Sequence, residues 1–107
     1  MIKVRFFRSN QQTSGFEITG HADAGEYGQD IVCAAVSVLT ISTINGMKKL
    51  VQIKPKVDAN EEEGGYLSVK LSQHEFQNHD AQLLLANLEL GLQAIVENYA
   101  NYIKIIN

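Results

Sequence analysis

The chain has 107 residues, 45% of them apolar, and a formal net charge of −3, which suits a single globular domain (residues 1–107) and leaves no room for two ordinary ones. The acidic balance argues against broad, charge-driven nucleic-acid binding, and the small basic cluster Lys3, Arg5 and Arg8 is too thin to change that. The single cysteine, Cys33, excludes an intrachain disulfide and fits a reducing cytoplasm.

The first ten residues lack the apolar run of a signal peptide. No stretch reads as the ~18 to 20 apolar residues that a membrane span needs. The expectation is therefore a soluble, cytoplasmic protein that does not engage a membrane.

In chain order, residues 2–8 are rich in β-branched and aromatic side chains and read as a strand. Residues 10–15 are polar and end on Gly15, so they read as the loop of an antiparallel hairpin. Its second strand alternates, with Phe16, Ile18 and Gly20 on one face and Glu17, Thr19 and His21 on the other. Residues 22–29 hold Gly25 and Gly28 among small and polar residues and read as a second loop. Residues 31–51 are apolar, long and free of proline, which favours a helix over a strand, with Asp30 at the N-cap position. Apolar residues cover most of its circumference, so it needs partners on several sides, and one of them can be a second subunit.

Pro55 ends that helix. Residues 56–60 and 66–71 read as a second hairpin around Glu61, Glu62, Glu63, Gly64 and Gly65, the glutamate run being a solvated turn. Residues 80–101 carry Leu84, Leu88, Leu92, Ile95 and Tyr99 near one face and predict a second helix, while Ser72 and Glu75 have capping-box spacing for an earlier first turn. Residues 102–106 either continue the helix or add an edge strand. The order ββαββα predicts an α+β fold of two layers: a mostly antiparallel sheet with two main helices on one side, and a possible extra C-terminal edge strand.

Cys33 is the first candidate for chemistry. With Asp30 as N-cap it stands at the third helical position, where unpaired N–H groups and the positive end of the helix dipole favour an anion such as a thiolate. The plain alternative is an inert cysteine packed as a small hydrophobe. His21 ends the strand that feeds the loop leading to Cys33, and twelve residues return easily, so the imidazole can reach the sulfur. Asp30, Cys33 and Ser37 are spaced three and four apart and share a helix face. Asp30 either orients His21 or caps the helix. Ser37 either steadies the site by a hydrogen bond or bonds back to the carbonyl of Cys33. Amides at the helix start are candidate oxyanion donors, and Gly25 and Gly28 would let the loop close over an extended peptide.

No metal or cofactor is expected. His74 and His79 are five apart rather than the four of a helical zinc pair, and there is no P-loop or dinucleotide fingerprint.

The residues Gly20-His21-Ala22, the loop with Gly25 and Gly28, and Asp30-Ile31-Val32-Cys33-Ala34-Ala35-Val36-Ser37 resemble the ribosomal-processing cysteine protease family, and the resemblance spans nearly the whole chain. It implies a homodimeric cysteine endopeptidase that removes the N-terminal extension of a large-subunit ribosomal protein, cutting after a pair of Phe. It also implies that Cys33 is the nucleophile and His21 the general base, with Asp30 and Ser37 supporting. Two competing readings remain at this point: a non-catalytic module that binds a ribosomal protein or the assembling ribosome, and a redox sensor, which lacks a second cysteine to resolve it.

Overall fold

Alternating burial along strand β1 (Ile2–Ser9) fixes the layer order: Ile2, Val4 and Phe6 are buried while Lys3 and Arg5 are exposed. One face of the sheet is thus covered and the other is solvated. The structure, a computed structural model, describes residues 1–20, 27–60 and 65–106, with backbone alone at 27–30. The remaining elements are β2 (Gln12–Thr19), α1 (Tyr27–Lys49), β3 (Lys56–Asn60), β4 (Tyr66–Lys70), α2 (Gln73–Phe76), α3 (His79–Tyr99) and β5 (Ile103–Ile106).

The five strands form one sheet in the order β3-β4-β2-β1-β5. All neighbours are antiparallel except β5, which lies parallel to β1 with Ile2 opposite Ile103. The fold is α+β, as expected, and the C-terminal residues form the edge strand rather than prolonging the helix. Phe16, Ile18 and Val69 of the covered face pack with Val32, Val36 and Met47 of α1 and Leu85, Leu88 and Leu92 of α3 in one buried cluster. Each such large side chain contributes roughly 1.5–3 kcal/mol by leaving water. Within α1, the hydroxyls of buried Thr40 and Thr43 donate to the carbonyls of Val36 (2.9 Å) and Leu39 (2.7 Å), so neither is left unsatisfied in the core.

Four expectations need correction. The first hairpin turns on two residues, Asn10 and Gln11, both at positive φ (52° and 67°), not on a loop reaching Gly15. Such a pair matches the twist of the flanking strands. Gly15 lies inside β2 because β4 crosses close by: a Cβ there would overlap the Val69 carbonyl oxygen. Between Phe7 and Arg8 the register shifts, the mark of a bulge. There the Gln82 side chain accepts from the Thr13 N–H (2.9 Å) and donates to its carbonyl (2.8 Å), so neither backbone group is orphaned.

The second correction concerns the start of α1. The helix begins at Tyr27, not Ile31. Gly28 is helical, so the loop predicted for 22–29 is at least three residues shorter, and Asp30 is a residue of the first turn rather than its N-cap. Gly28 costs ~1 kcal/mol relative to Ala, less than the packing of the long helix supplies. Third, α1 ends at Lys49; Gln52 then adopts φ 63°, and the Ile53 N–H donates to the Met47 carbonyl (3.0 Å), closing the helix before Pro55.

Fourth, residues Ile31–Lys49 of α1 are long and apolar enough to cross a membrane, with mean hydropathy 1.5. Core packing accounts for part of that apolarity: the helix puts Val32, Val36 and Met47 into the core, and 33% of the span is buried. The capping box was legible: the Ser72 side chain caps a short α2 and Glu75 reaches back to the Ser72 N–H (2.8 Å), while α3 starts separately with Asn78 as N-cap.

Candidate active site

Antiparallel pairing brings the start of β1, the end of β2, the end of β3 and the start of β4 to one end of the sheet. The first half of α1 crosses that end. Between them lies a cavity of about 250 Å³, lined from the sheet by Ile2, Ile18, Gly20, Ala59, Asn60, Gly65, Tyr66 and Leu67 and from the helix by Cys33, Val36, Ser37, Thr40 and Ile41. The lining is mostly apolar. Strand β3 is exposed along its whole length, so the helical layer stops short of it and Ala59 remains as an uncovered ledge.

Cys33 is half-buried and packs on the core beside Val32 and Val36. It is the seventh residue of α1, which corrects the third position expected from sequence. The orphan N–H groups of a helix belong to its first four residues, here Tyr27 to Asp30. The N–H of Cys33 is therefore committed to the helix, and neither the thiolate nor an oxyanion finds free helix-start amides at Cys33 itself.

Ser37, one turn further on, is exposed and reaches the same cavity. Among the described residues its hydroxyl has no hydrogen-bond partner, so of the two readings of Ser37 the bond back to the Cys33 carbonyl is not formed, and the hydroxyl is free to face a ligand.

Gly20 is the third element of the site. Its φ is 96°, and a Cβ there would overlap the Met1 carbonyl oxygen. Only glycine accommodates both demands. Its N–H donates to the Gly65 carbonyl at 3.1 Å, joining the exit of β2 to the entry of β4. His21 and Gly25 lie outside the described residues, and so does the side chain of Asp30. Gly28 stands in the first turn of α1 and not in a loop.

Among the described residues, no group of three His, Cys, Asp or Glu is close enough to hold a metal ion. His74 and His79 open the two C-terminal helices, α2 and α3, and neither lines the cavity. Sequence reasoning did not find the contributions of β3 and β4. Ala59, Asn60, Tyr66 and Leu67 meet α1 only through the β2–β4 and β3–β4 registers, and no local pattern announces those registers.

Residues 1–104 match the family model described as cysteine protease Prp. The chain is 32% identical over 108 residues to the ribosomal processing cysteine protease Prp of Bacillus subtilis, covering 98% of this chain and 96% of that one. It is 35% identical over 86 residues to the protein of that name from Staphylococcus aureus, 80% of this chain and 78% of that one. A crystal structure of a Streptococcus mutans protein superposes with a TM-score of 0.92 at 35% identity, covering 98% and 91% of the two chains. The S. aureus protease in complex with a substrate peptide superposes at 0.80 and 30% identity, covering 99% and 98%. The same protease with a covalently linked product peptide gives 0.76 at 30% identity, covering 98% and 97%.

Proposed function

The chain belongs to the Prp family of ribosomal processing cysteine proteases, and from that premise we propose that it removes the N-terminal extension of a large-subunit ribosomal protein, with Cys33 as nucleophile and His21 as general base. One observation carries the assignment of the nucleophile. A cysteine protease needs a thiol, this chain has a single cysteine, and that cysteine opens into an apolar cavity at the sheet end.

His21 is favoured by connectivity. Of the three histidines, it is the one bonded to a cavity residue, Gly20, and consecutive Cα atoms are ~3.8 Å apart. In the proposed reaction the imidazole takes the thiol proton and the sulfur attacks the carbonyl carbon of the scissile bond. The C–N bond breaks as the imidazolium returns the proton to the departing amine. Water, deprotonated by the same imidazole, then hydrolyses the thioester. Ile2, Ile18, Ile41 and Leu67 offer the apolar surface that Phe side chains before the cut would occupy. The free Ser37 hydroxyl is placed to donate to the bound peptide, and Asp30, three residues before Cys33, is the supporting carboxylate.

The reading extends to assembly and location. Val38 of α1 is 67% exposed, apolar surface that a second copy of the chain can cover, and we assign that side of the helix to a homodimer. A lone cysteine with no partner for an intrachain disulfide supports a reducing, cytoplasmic location.

The test is chemical. Iodoacetamide should abolish cleavage of a Phe-Phe-containing extension peptide in step with mass addition on Cys33, and the peptide should slow that alkylation. Full activity in fully alkylated protein would refute the assignment.

A further inference from the structure

The outer surface of the helical layer is short of charge. From Ile31 to Met47, α1 has no charged residue, and from Ala81 to Val96, α3 has one, Glu89, which Arg8 holds. Yet this surface is not core: Val38 of α1 is 67% exposed, and Leu83 and Leu90 of α3 are 55% and 65% exposed.

These side chains belong to one surface. A Cβ on Gly91 would meet Leu39 at 3.0 Å, and one on Gly46 would meet Leu84 at 3.3 Å. The two helices therefore lie side by side and antiparallel, with glycine at both contacts. Val38 is next in sequence to Leu39 and Leu90 to Gly91, so these two exposed residues flank the same crossing. Helices ~24 Å long and ~9 Å apart present roughly 450 Å² before side-chain relief is counted, close to the ~600 Å² of accessible surface per partner at which specific interfaces begin.

Two features fit a second copy of the chain. Exposed Ser42, Asn45, Asn87 and Gln93 stand among the apolar residues. Hydrocarbon would leave them unpaired, so the face does not suit a membrane. An amide carries donor and acceptor together, so it can bond its own copy in an isologous contact. The second feature is that charge returns only at the two ends. Continuing the two glycine contacts puts Lys48 and Lys49, which outnumber Asp80, at one end and Glu97 at the other, all exposed. A two-fold axis across the helices lays the lysines of each copy over Glu97 of the other.

The face borders the Cys33 cavity. Ile41 lines that cavity and is 57% exposed, so the cavity is open along this rim. Three residues from Val38, Ile41 lies about 60° round the helix from it and near the middle of α1. We propose that a second copy packs on this α1–α3 face and closes the Ile41 rim of the cavity, so that the peptide site is complete only in the dimer. The proposal rests on the homodimer assigned above and adds α3, the orientation of the two copies and a consequence for the site.

The test follows molar mass by light scattering, cleavage of a Phe-Phe-containing extension peptide, and alkylation of Cys33 by iodoacetamide. Wild type should have twice the chain mass of 11.9 kDa, and its rate per protomer should fall as dilution dissociates it. Leu90→Glu, which lies outside the cavity, should be monomeric with an unchanged circular-dichroism spectrum. It should cleave about tenfold more slowly and alkylate faster at Cys33. Leu90→Met should keep both mass and rate. Glu97→Lys should weaken the dimer, and adding Lys48→Glu and Lys49→Glu to it should restore the dimer. A fully active monomeric wild type, a dimeric Leu90→Glu protein, no recovery in the triple variant, or a monomeric Leu90→Glu protein with wild-type cleavage and alkylation would each overturn the proposal. If wild type does not cleave the peptide, the cleavage reading fails, and the masses and alkylation rates still decide this one.

Discussion

The backbone N–H of Gly20 donates to the carbonyl of Gly65 at 3.1 Å, and this bond ties the two strand ends that flank Cys33. It depends on the left-handed conformation of Gly20. Gly20→Ala would place a methyl in overlap with the Met1 carbonyl and would add ~1–2 kcal/mol for the left-handed backbone alone. The expected result is a lowered melting temperature together with a loss of cleavage. A Gly20→Ala protein with wild-type stability and rate would show that this geometry is not needed.

Gly28 should behave in the opposite way. It lies in the first turn of α1, where Ala is the better helix former by ~1 kcal/mol. Gly28→Ala is expected to raise the melting temperature by a few degrees, read by circular dichroism. A fall would mean that residue 28 needs the freedom of a loop, as its sequence context suggests.

Glu75 gives the fold a pH dependence. Burial raises its pKa, but the N–H groups of Ser72 and Lys54, the Ser72 hydroxyl and the charge of His74 together outweigh that and hold it below the ordinary value. A carboxylate with a depressed folded pKa stabilises above its unfolded value, and that contribution is lost as pH falls through the folded one. Glu75→Ala should therefore destabilise most near neutral pH, with the gap to wild type narrowing below about pH 4. Equal gaps at pH 7 and pH 3 in thermal melts would contradict the sign. Because the carboxylate also accepts from the Lys54 N–H at 3.0 Å, the loss should loosen the segment between α1 and β3 as well as α2.

How much of this was legible in the sequence differs by element. The hairpins, both long helices and the Ser72 capping box follow from local periodicity and spacing, and all are present. Two of the differences share a cause: in sequence a glycine reads as loop. Gly15 is explained by the close approach of β4 and Gly28 by a helix whose packing extends it through one poor residue, and both reasons are tertiary. The candidate nucleophile could be read from a lone cysteine among His, Asp and Ser in a recognisable order. The wall contributed by Ala59, Asn60, Tyr66 and Leu67 could not, because it exists only once β4 pairs with β2. The helix-start argument for Cys33 rested on a boundary misplaced by four residues, a full turn of helix.

The measurement that tests the central claim most directly mixes the purified protein with an unprocessed large-subunit ribosomal protein and follows the N-terminus by mass spectrometry, beside Cys33→Ala and His21→Ala. The account predicts loss of a defined N-terminal peptide with wild type and intact substrate with either variant, each variant retaining the wild-type circular-dichroism spectrum. Cleavage at the wild-type rate by Cys33→Ala, or no cleavage by wild type beside an active relative on the same substrate, would contradict it.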